Sequence, residues 1–258
     1  MGSVQISERL KCLCNMVTQG RRVVDVGCDH GFVSIYLVQQ GICPGALAMD
    51  VRSGPLSRAK EHVAEYELTE YIETRLSDGL LAYQAGEAQS LICAGMGGRL
   101  MEKILTESRE KAKSLEELIL QPQSELREFR TFLKREGYKL LDEHILCEEG
   151  KYYFLMKVCP SKEVPVNVSE EAAEKVKNGL AYDNVIVGES SEELGLRYGE
   201  LLLERKNSVL KEFLQENLQN MQQIEQNLMK NENERARCRL EEIRSEINYL
   251  KQALSLYD

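Results

Sequence analysis

From residue 22 to about residue 160, short runs of consecutive apolar residues alternate with segments whose apolar positions recur every three or four residues. Arg22-Val23-Val24-Asp25-Val26 has the pattern of a buried strand and ends at Gly27; residues 46–50, 71–76, 90–94 and 118–121 give four more. Continuous runs of that length suit strands covered on both faces. Helical spacing covers residues 32–40, stopping at Gly41, and residues 54–66, where Pro55 lies in the first turn and its missing donor costs little. Two more helices fit residues 98–108 and 124–136, the second with Ser124 as N-cap and Gly137 as C-cap. Strands alternating with helices predict right-handed crossovers and a parallel sheet.

Residues 138–147 and 151–159 break the rhythm, being two extended runs joined by Glu148-Glu149-Gly150 with no helix between. That predicts a β-hairpin closing the sheet with antiparallel strands. Five parallel strands and a terminal hairpin form the layout of the methyltransferase variant of the doubly wound, Rossmann-like α/β fold, although other α/β sheets also carry antiparallel edges. Pro160-Ser161-Lys162-Glu163-Val164-Pro165 has the composition of a linker. Beyond it, residues 196–230 and 234–257 carry a narrow apolar seam: Leu210, Leu214, Leu218, Met221, Ile224, Leu228, then Leu240, Ile243, Ile247, Leu250, Leu254, Tyr257. Steps of three and four with a polar break at residues 230–233 predict two antiparallel helices in a coiled-coil hairpin. The expected organisation is a catalytic domain over residues 1–162 and a helical domain over residues 163–258.

Composition narrows the classes. At 43% hydrophobic and 29% charged, the chain is too apolar for a disordered protein, and no run of about eighteen apolar residues is present. The start, MGSVQISERLKCLC, lacks a cationic segment followed by an apolar core, so no secretory leader is expected. The eight cysteines form no repeated CxxC pattern and lie mostly in apolar stretches, as in Leu91-Ile92-Cys93-Ala94. They read as small buried hydrophobes of a reduced, cytoplasmic protein. With three scattered histidines, no metal site is expected. Residues 1–165 hold 21 basic and 24 acidic side chains, and the remainder 12 and 18, so nucleic-acid binding would require a local basic patch.

Ligands of a parallel sheet bind outside the carboxyl ends of its strands, where strand order reverses. Four strand ends carry candidate chemistry. After the first strand comes Asp25-Val26-Gly27-Cys28-Asp29-His30-Gly31. Gly27 permits a tight turn, and Asp29 stands where a dinucleotide motif would have its second glycine. An acid there repels a pyrophosphate but suits a sulfonium or ammonium, favouring S-adenosylmethionine over NAD. Asp50, followed by Val51, ends the second strand at the spacing of a ribose-binding carboxylate, though a helix-capping acid would look the same. Ser77-Asp78-Gly79 offers a carboxylate and backbone amides to an adenine, or an ordinary Asp-Gly turn. Ala94-Gly95-Met96-Gly97-Gly98 would let the backbone approach cofactor and target closely.

Together these strings resemble class I methyltransferases and, more closely, the bacterial tRNA (adenine-22, N1)-methyltransferases. Ser7-Glu8-Arg9-Leu10, Asp25 to His30, Gly54-Pro55 with Ala59-Lys60, Asp78-Gly79-Leu80, Ala94 to Gly98, Leu118-Ile119-Leu120-Gln121-Pro122 and Glu149-Gly150-Lys151 carry the resemblance in order. The chain departs from it at Phe32, Ser34 and Gln123, where the family often has Tyr, Pro and Asn, and at Asp50, where Glu is frequent. The resemblance implies S-adenosylmethionine as cofactor and adenine N1 in tRNA as acceptor. Asp29 is then the candidate to stabilise the cationic product or accept a proton, with His30 orienting neighbours; contact with cofactor alone is the other role for Asp29. Candidate basic contacts to RNA are Arg9, Lys11, Arg99 and Lys103, with Arg205, Lys206, Arg235, Arg237, Arg239 and Arg244 in the tail. Rival readings are methylation of another RNA, a small molecule or a protein, and a non-enzymatic coiled-coil protein. No membrane association is expected, and the oligomeric state, monomer or weak dimer, is left open.

Overall fold

The computed structural model describes residues 2–161, 187–230 and 234–258. It divides into two compact units, Met1–Pro165 and Val166–Asp258.

In the first unit the buried runs form parallel strands β1 (Val23–Val26), β2 (Ala46–Asp50), β3 (Ile72–Leu76), β4 (Ser90–Met96) and β5 (Glu117–Pro122). The hairpin β6 (Tyr138–Glu148) and β7 (Lys151–Pro160) turns through Glu149 and Gly150, both at positive φ. The order is β3-β2-β1-β4-β5-β7-β6, with β7 antiparallel to both neighbours. Register places Asp25 beside Ala48 and Ile92, and Asp50 beside Leu76.

Alternation along the strands loads both faces. Val24, Val26, Leu47, Leu91, Leu118 and Leu120 pack with Met101, Leu105, Ala112, Phe129 and Leu133, from α4 (Gly98–Glu107), α5 (Arg109–Lys113) and α6 (Leu126–Arg135). Val23, Ala46, Ala48, Ile92 and Ile119 face Leu13, Ile35, Leu37, Ala59 and Val63, from α1 (Glu8–Asn15), α2 (Phe32–Gln39) and α3 (Ser53–Glu65). The result is a helix–sheet–helix sandwich. At the start of β5, buried Glu117 collects Thr18 N (2.8 Å), Thr18 Oγ1 (2.6 Å), Ser90 Oγ (2.7 Å), Arg21 Nη1 (2.6 Å) and Lys157 Nζ (2.9 Å). One carboxylate thereby ties the segment after α1 to three strands.

The structure adds one element and corrects two local expectations. The segment before β1 forms α1, capped by the Ser7 hydroxyl, which accepts from Leu10 N. Ser124 is not the N-cap of α6; Glu125 holds that place in the left-handed conformation, φ 51°, because Ser124 O lies against Gly98 and accepts its backbone N–H at 3.2 Å. The single helix expected over residues 196–230 is three: α7 (Val187–Tyr198), α8 (Glu200–Glu204) and α9 (Ser208–Leu228). The chain breaks at Gly199, φ 103°, and again before Asn207, whose side chain caps α9 through Leu210 N. Most of the expected linker lies outside the described residues.

In the second unit α9 runs antiparallel to α10 (Glu234–Ser255): Tyr257 OH donates to Asn207 O at 3.0 Å, while Arg244 Nε meets Glu225 Oε1 at 2.9 Å. Leu210, Leu214, Ile243, Ile247 and Leu250 are buried, but Ile224 farther along the seam is 40% exposed. Arg197 joins α7 to α10 through Glu246 (2.7 Å) and the Tyr249 ring (4.0 Å).

Candidate active site

Strand order reverses between β1 and β4, and a cavity of about 700 Å³ opens over their carboxyl ends. All the predicted site residues line it except Gly97: Asp25, Gly27, Cys28, Asp29, His30, Asp50, Val51, Ser77, Asp78, Gly79, Ala94, Gly95 and Met96. Gly97 instead caps α4, and a Cβ there would meet Ser124 Oγ at 3.0 Å. Arg9, Leu10, Phe32, Arg52, Leu100 and Gln123 join the lining.

The β1–α2 turn folds over the end of β2, with Gly27 N and Cys28 N both donating to Met49 O, at 2.8 and 2.9 Å. Gly27 has φ +75°, and a Cβ at that position would lie 2.1 Å from Met96 Cε. The positive φ is what favours glycine here; the Met96 methyl, at the end of a flexible side chain, fills the space a Cβ would take. Asp29 adopts φ 49°, a strained conformation for a residue with a Cβ, and its backbone N points to Asp50 Oδ2 at 3.3 Å.

Asp50 is 4% exposed, and Arg52 N donates to its Oδ1 at 2.8 Å. These bonds fix the carboxylate while leaving acceptor capacity on each oxygen. Asp29 is exposed at the cavity, with His30 Nε2 at 3.6 Å and Arg52 Nη2 at 3.8 Å. Asp25 is 3% exposed; burial pushes its carboxyl up to about 6, the Ser34 hydroxyl bond at 2.9 Å pulls the other way, and nearby Asp50 adds to the rise. Ser77 proves partly structural, since its hydroxyl donates to Gly79 O (2.8 Å) and accepts from Ala82 N (3.0 Å). Burial pushes the Cys93 thiol up to about 12, which keeps it from acting as a thiolate nucleophile.

Sequence reasoning did not foresee two arrangements. Phe32 stacks on His62, centroids 4.6 Å apart, and His62 Nδ1 lies 3.0 Å from His30 O. Arg9 Nη1 donates to buried Gln121 Oε1 at 2.7 Å and its guanidinium lies over the Tyr153 ring. Only the pairing of Arg9 with the Gln-Pro string as shared motifs hinted at the second. Several expected RNA contacts are already engaged with acids: Lys11 with Glu8, Arg99 with Glu125, Lys103 with Glu107, Arg239 with Glu242 and Arg244 with Glu225.

An acid-lined pocket over the reversal point of a 3-2-1-4-5-7-6 sheet defines a class I methyltransferase domain, and residues 6–156 match the family model described as a methyltransferase domain. The chain is 32% identical over 256 residues to the Bacillus subtilis tRNA (adenine(22)-N(1))-methyltransferase, covering 98% of this chain and 99% of that one. It belongs to that family. The crystal structure of the B. subtilis m1A22 tRNA methyltransferase superposes with a TM-score of 0.77 at 29% identity, over 97% of this chain and 99% of that one. A Streptococcus pneumoniae relative solved in complex with S-adenosyl-L-methionine gives a TM-score of 0.76 at 27% identity, over 97% and 100%.

Proposed function

We propose that the protein transfers a methyl group from S-adenosylmethionine to N1 of adenine 22 in tRNA. The observation that carries the reading is the set of four carboxylates, Asp25, Asp29, Asp50 and Asp78, on one cavity at the strand ends. Such a site favours a cationic nucleotide derivative over one bearing a pyrophosphate. It fits S-adenosylmethionine, which supplies an electrophilic methyl group on a sulfonium sulfur. Asp50, fixed by two backbone donors, would hold the ribose hydroxyls, and the Gly27 turn would let the backbone approach the amino-acid end. The Ser77–Gly79 turn would meet the adenine. The full-length likeness to the B. subtilis enzyme supports the substrate.

Adenine N1 carries its own lone pair, so positioning contributes more than a strong base. As the N1–carbon bond forms and the carbon–sulfur bond breaks, positive charge moves onto the purine. Asp29, exposed at the cavity, is the group to stabilise that charge or accept a proton from the exocyclic amine, with His30 beside it. N1 lies on the Watson–Crick edge, so the base must leave its pair to react. Residues 1–162 would hold the cofactor and residues 163–258 would contact tRNA. A cytoplasmic location follows from that substrate. Incubation with labelled S-adenosylmethionine and unmodified tRNA, followed by mapping of the methyl group, tests the reading. Label anywhere but N1 of A22, or none, would reject it.

A further inference from the structure

We propose that Gln123 selects adenine by reading its N6 amino group and N7, the edge that methylation at N1 leaves available. This rests on the adenine-N1 reading above. If N1 faces the methyl donor, the protein has no access to that nitrogen for recognition. The neighbouring edge carries one donor, N6–H, beside one acceptor, N7. A carboxamide matches that pair, its oxygen accepting from N6–H and its nitrogen donating to N7.

Gln123 is the side chain on the cavity with that complement. The aspartates are acceptors alone, and Arg9 and Arg52 donors alone. The Ser77 hydroxyl is engaged with Gly79 O and Ala82 N, and the two nitrogens of His30 diverge. The two glutamines around Pro122 divide sharply. Gln121 is buried, its oxygen held by Arg9 at 2.7 Å and its nitrogen 3.3 Å from Pro122 O. Gln123 is exposed on the cavity, and its carboxamide makes no hydrogen bond among the described residues.

Its position is nonetheless fixed. Gln123 N donates to Met96 O at 2.8 Å, holding the loop after β5 to the end of β4. A Cβ on Gly95 would lie 3.7 Å from Gln123 Nε2, so the carboxamide lies beside the glycine loop. A base entering against that loop meets it directly.

The test compares tRNA carrying A22 with tRNA carrying 7-deazaadenosine at that position, which keeps N1 and N6 but replaces N7 by C–H. Wild type is expected to lose roughly tenfold in kcat/KM on the deaza substrate. Gln123→Ala should lose roughly ten- to hundredfold on A22 and show no further loss on the deaza substrate. Gln123→Glu keeps the acceptor but sets a second acceptor against N7, so it should show no deaza penalty, or a preference for the deaza substrate, in which that repulsion is gone; in either case the wild-type penalty is absent. Comparing enzymes cancels any intrinsic change in N1 reactivity, and calorimetric binding of S-adenosylmethionine reports that each variant is folded. An equal deaza penalty in wild type and variants, or full activity of Gln123→Ala on A22, would overturn the proposal. If wild type itself puts no methyl on A22, the proposed function fails first, and the role of Gln123 with it.

Discussion

The Ser34 hydroxyl donates to Asp25 Oδ2 at 2.9 Å, and both groups are buried beneath the cavity. Among the described residues Ser34 supplies the hydrogen bond that favours the charged form of Asp25, and burial raises the carboxyl from 3.8 to about 6. A raised carboxyl means that the fold holds the proton more tightly than the unfolded chain. Stability contributed by this group is therefore present at low pH and lost as pH rises from about 4 to 6. A cationic ligand works in the opposite sense, because it favours the carboxylate. S-adenosylmethionine affinity should rise with pH through about 6 and approach a plateau above it. Ser34→Ala should move that midpoint upward. Calorimetry from pH 5 to 8 reads both; a flat profile would remove Asp25 from the binding site.

Asp50→Ala should weaken S-adenosylmethionine binding by roughly ten- to hundredfold, the usual cost of about 1–3 kcal/mol for hydrogen-bonding groups left without a partner. Asp50→Asn keeps the shape and one acceptor and should fall between. Unchanged affinity in both variants would place the ribose elsewhere.

Glu117 is a matter of stability. Glu117→Ala removes the common acceptor of Thr18, Ser90, Arg21 and Lys157, and the loss should reach roughly 1–3 kcal/mol, since Arg21 keeps Glu116 and Lys157 keeps Met16 O. Burial pushes the Glu117 carboxyl up, but its hydrogen bonds from Thr18, Ser90 and Lys157 win and hold it below its ordinary 4.5. Its contribution is then complete above pH 4.5 and disappears as pH falls through the lowered value. Urea unfolding of wild type and variant from pH 7 down to pH 3 should show the gap narrowing once pH falls below 4.5.

A chain ending at residue 162 should fold, bind S-adenosylmethionine and lose most tRNA methylation. Full activity on tRNA from that soluble shortened chain would show that the helices serve something else. For the whole protein, tRNA affinity should fall steeply with salt as phosphate contacts release counterions. Arg239 and Arg244, held by Glu242 and Glu225, should add little to that slope, so replacing either by Ala should leave it nearly unchanged.

Much of this was legible in the sequence, and for definite reasons. Strands covered on both faces are written as unbroken apolar runs, and the hairpin as Glu149-Gly150 between two extended segments. Strand ends then locate the cavity. The helix expected over residues 196–230 failed because it was extended back from the seam that starts at Leu210, past Gly199 and Asn207, a helix-breaking and a helix-capping residue. Ser124 has a good capping side chain, but Gly98 approaches its backbone carbonyl from another part of the sheet, and no local pattern shows that. The same holds for Arg9 and Gln121, 112 positions apart, and for Gln123 beside Gly95.

The place of β7 bears on how the protein is made. The strand added last in sequence lies inside the sheet, between β5 and β6, so β6 has no sheet partner until β7 exists. A nascent chain halted after α6 would carry Leu118, Ile119 and Leu120 on an open sheet edge, an invitation to pair with another chain. The hairpin must arrive as a unit, and translation has to pass residue 160 before the edge is sealed.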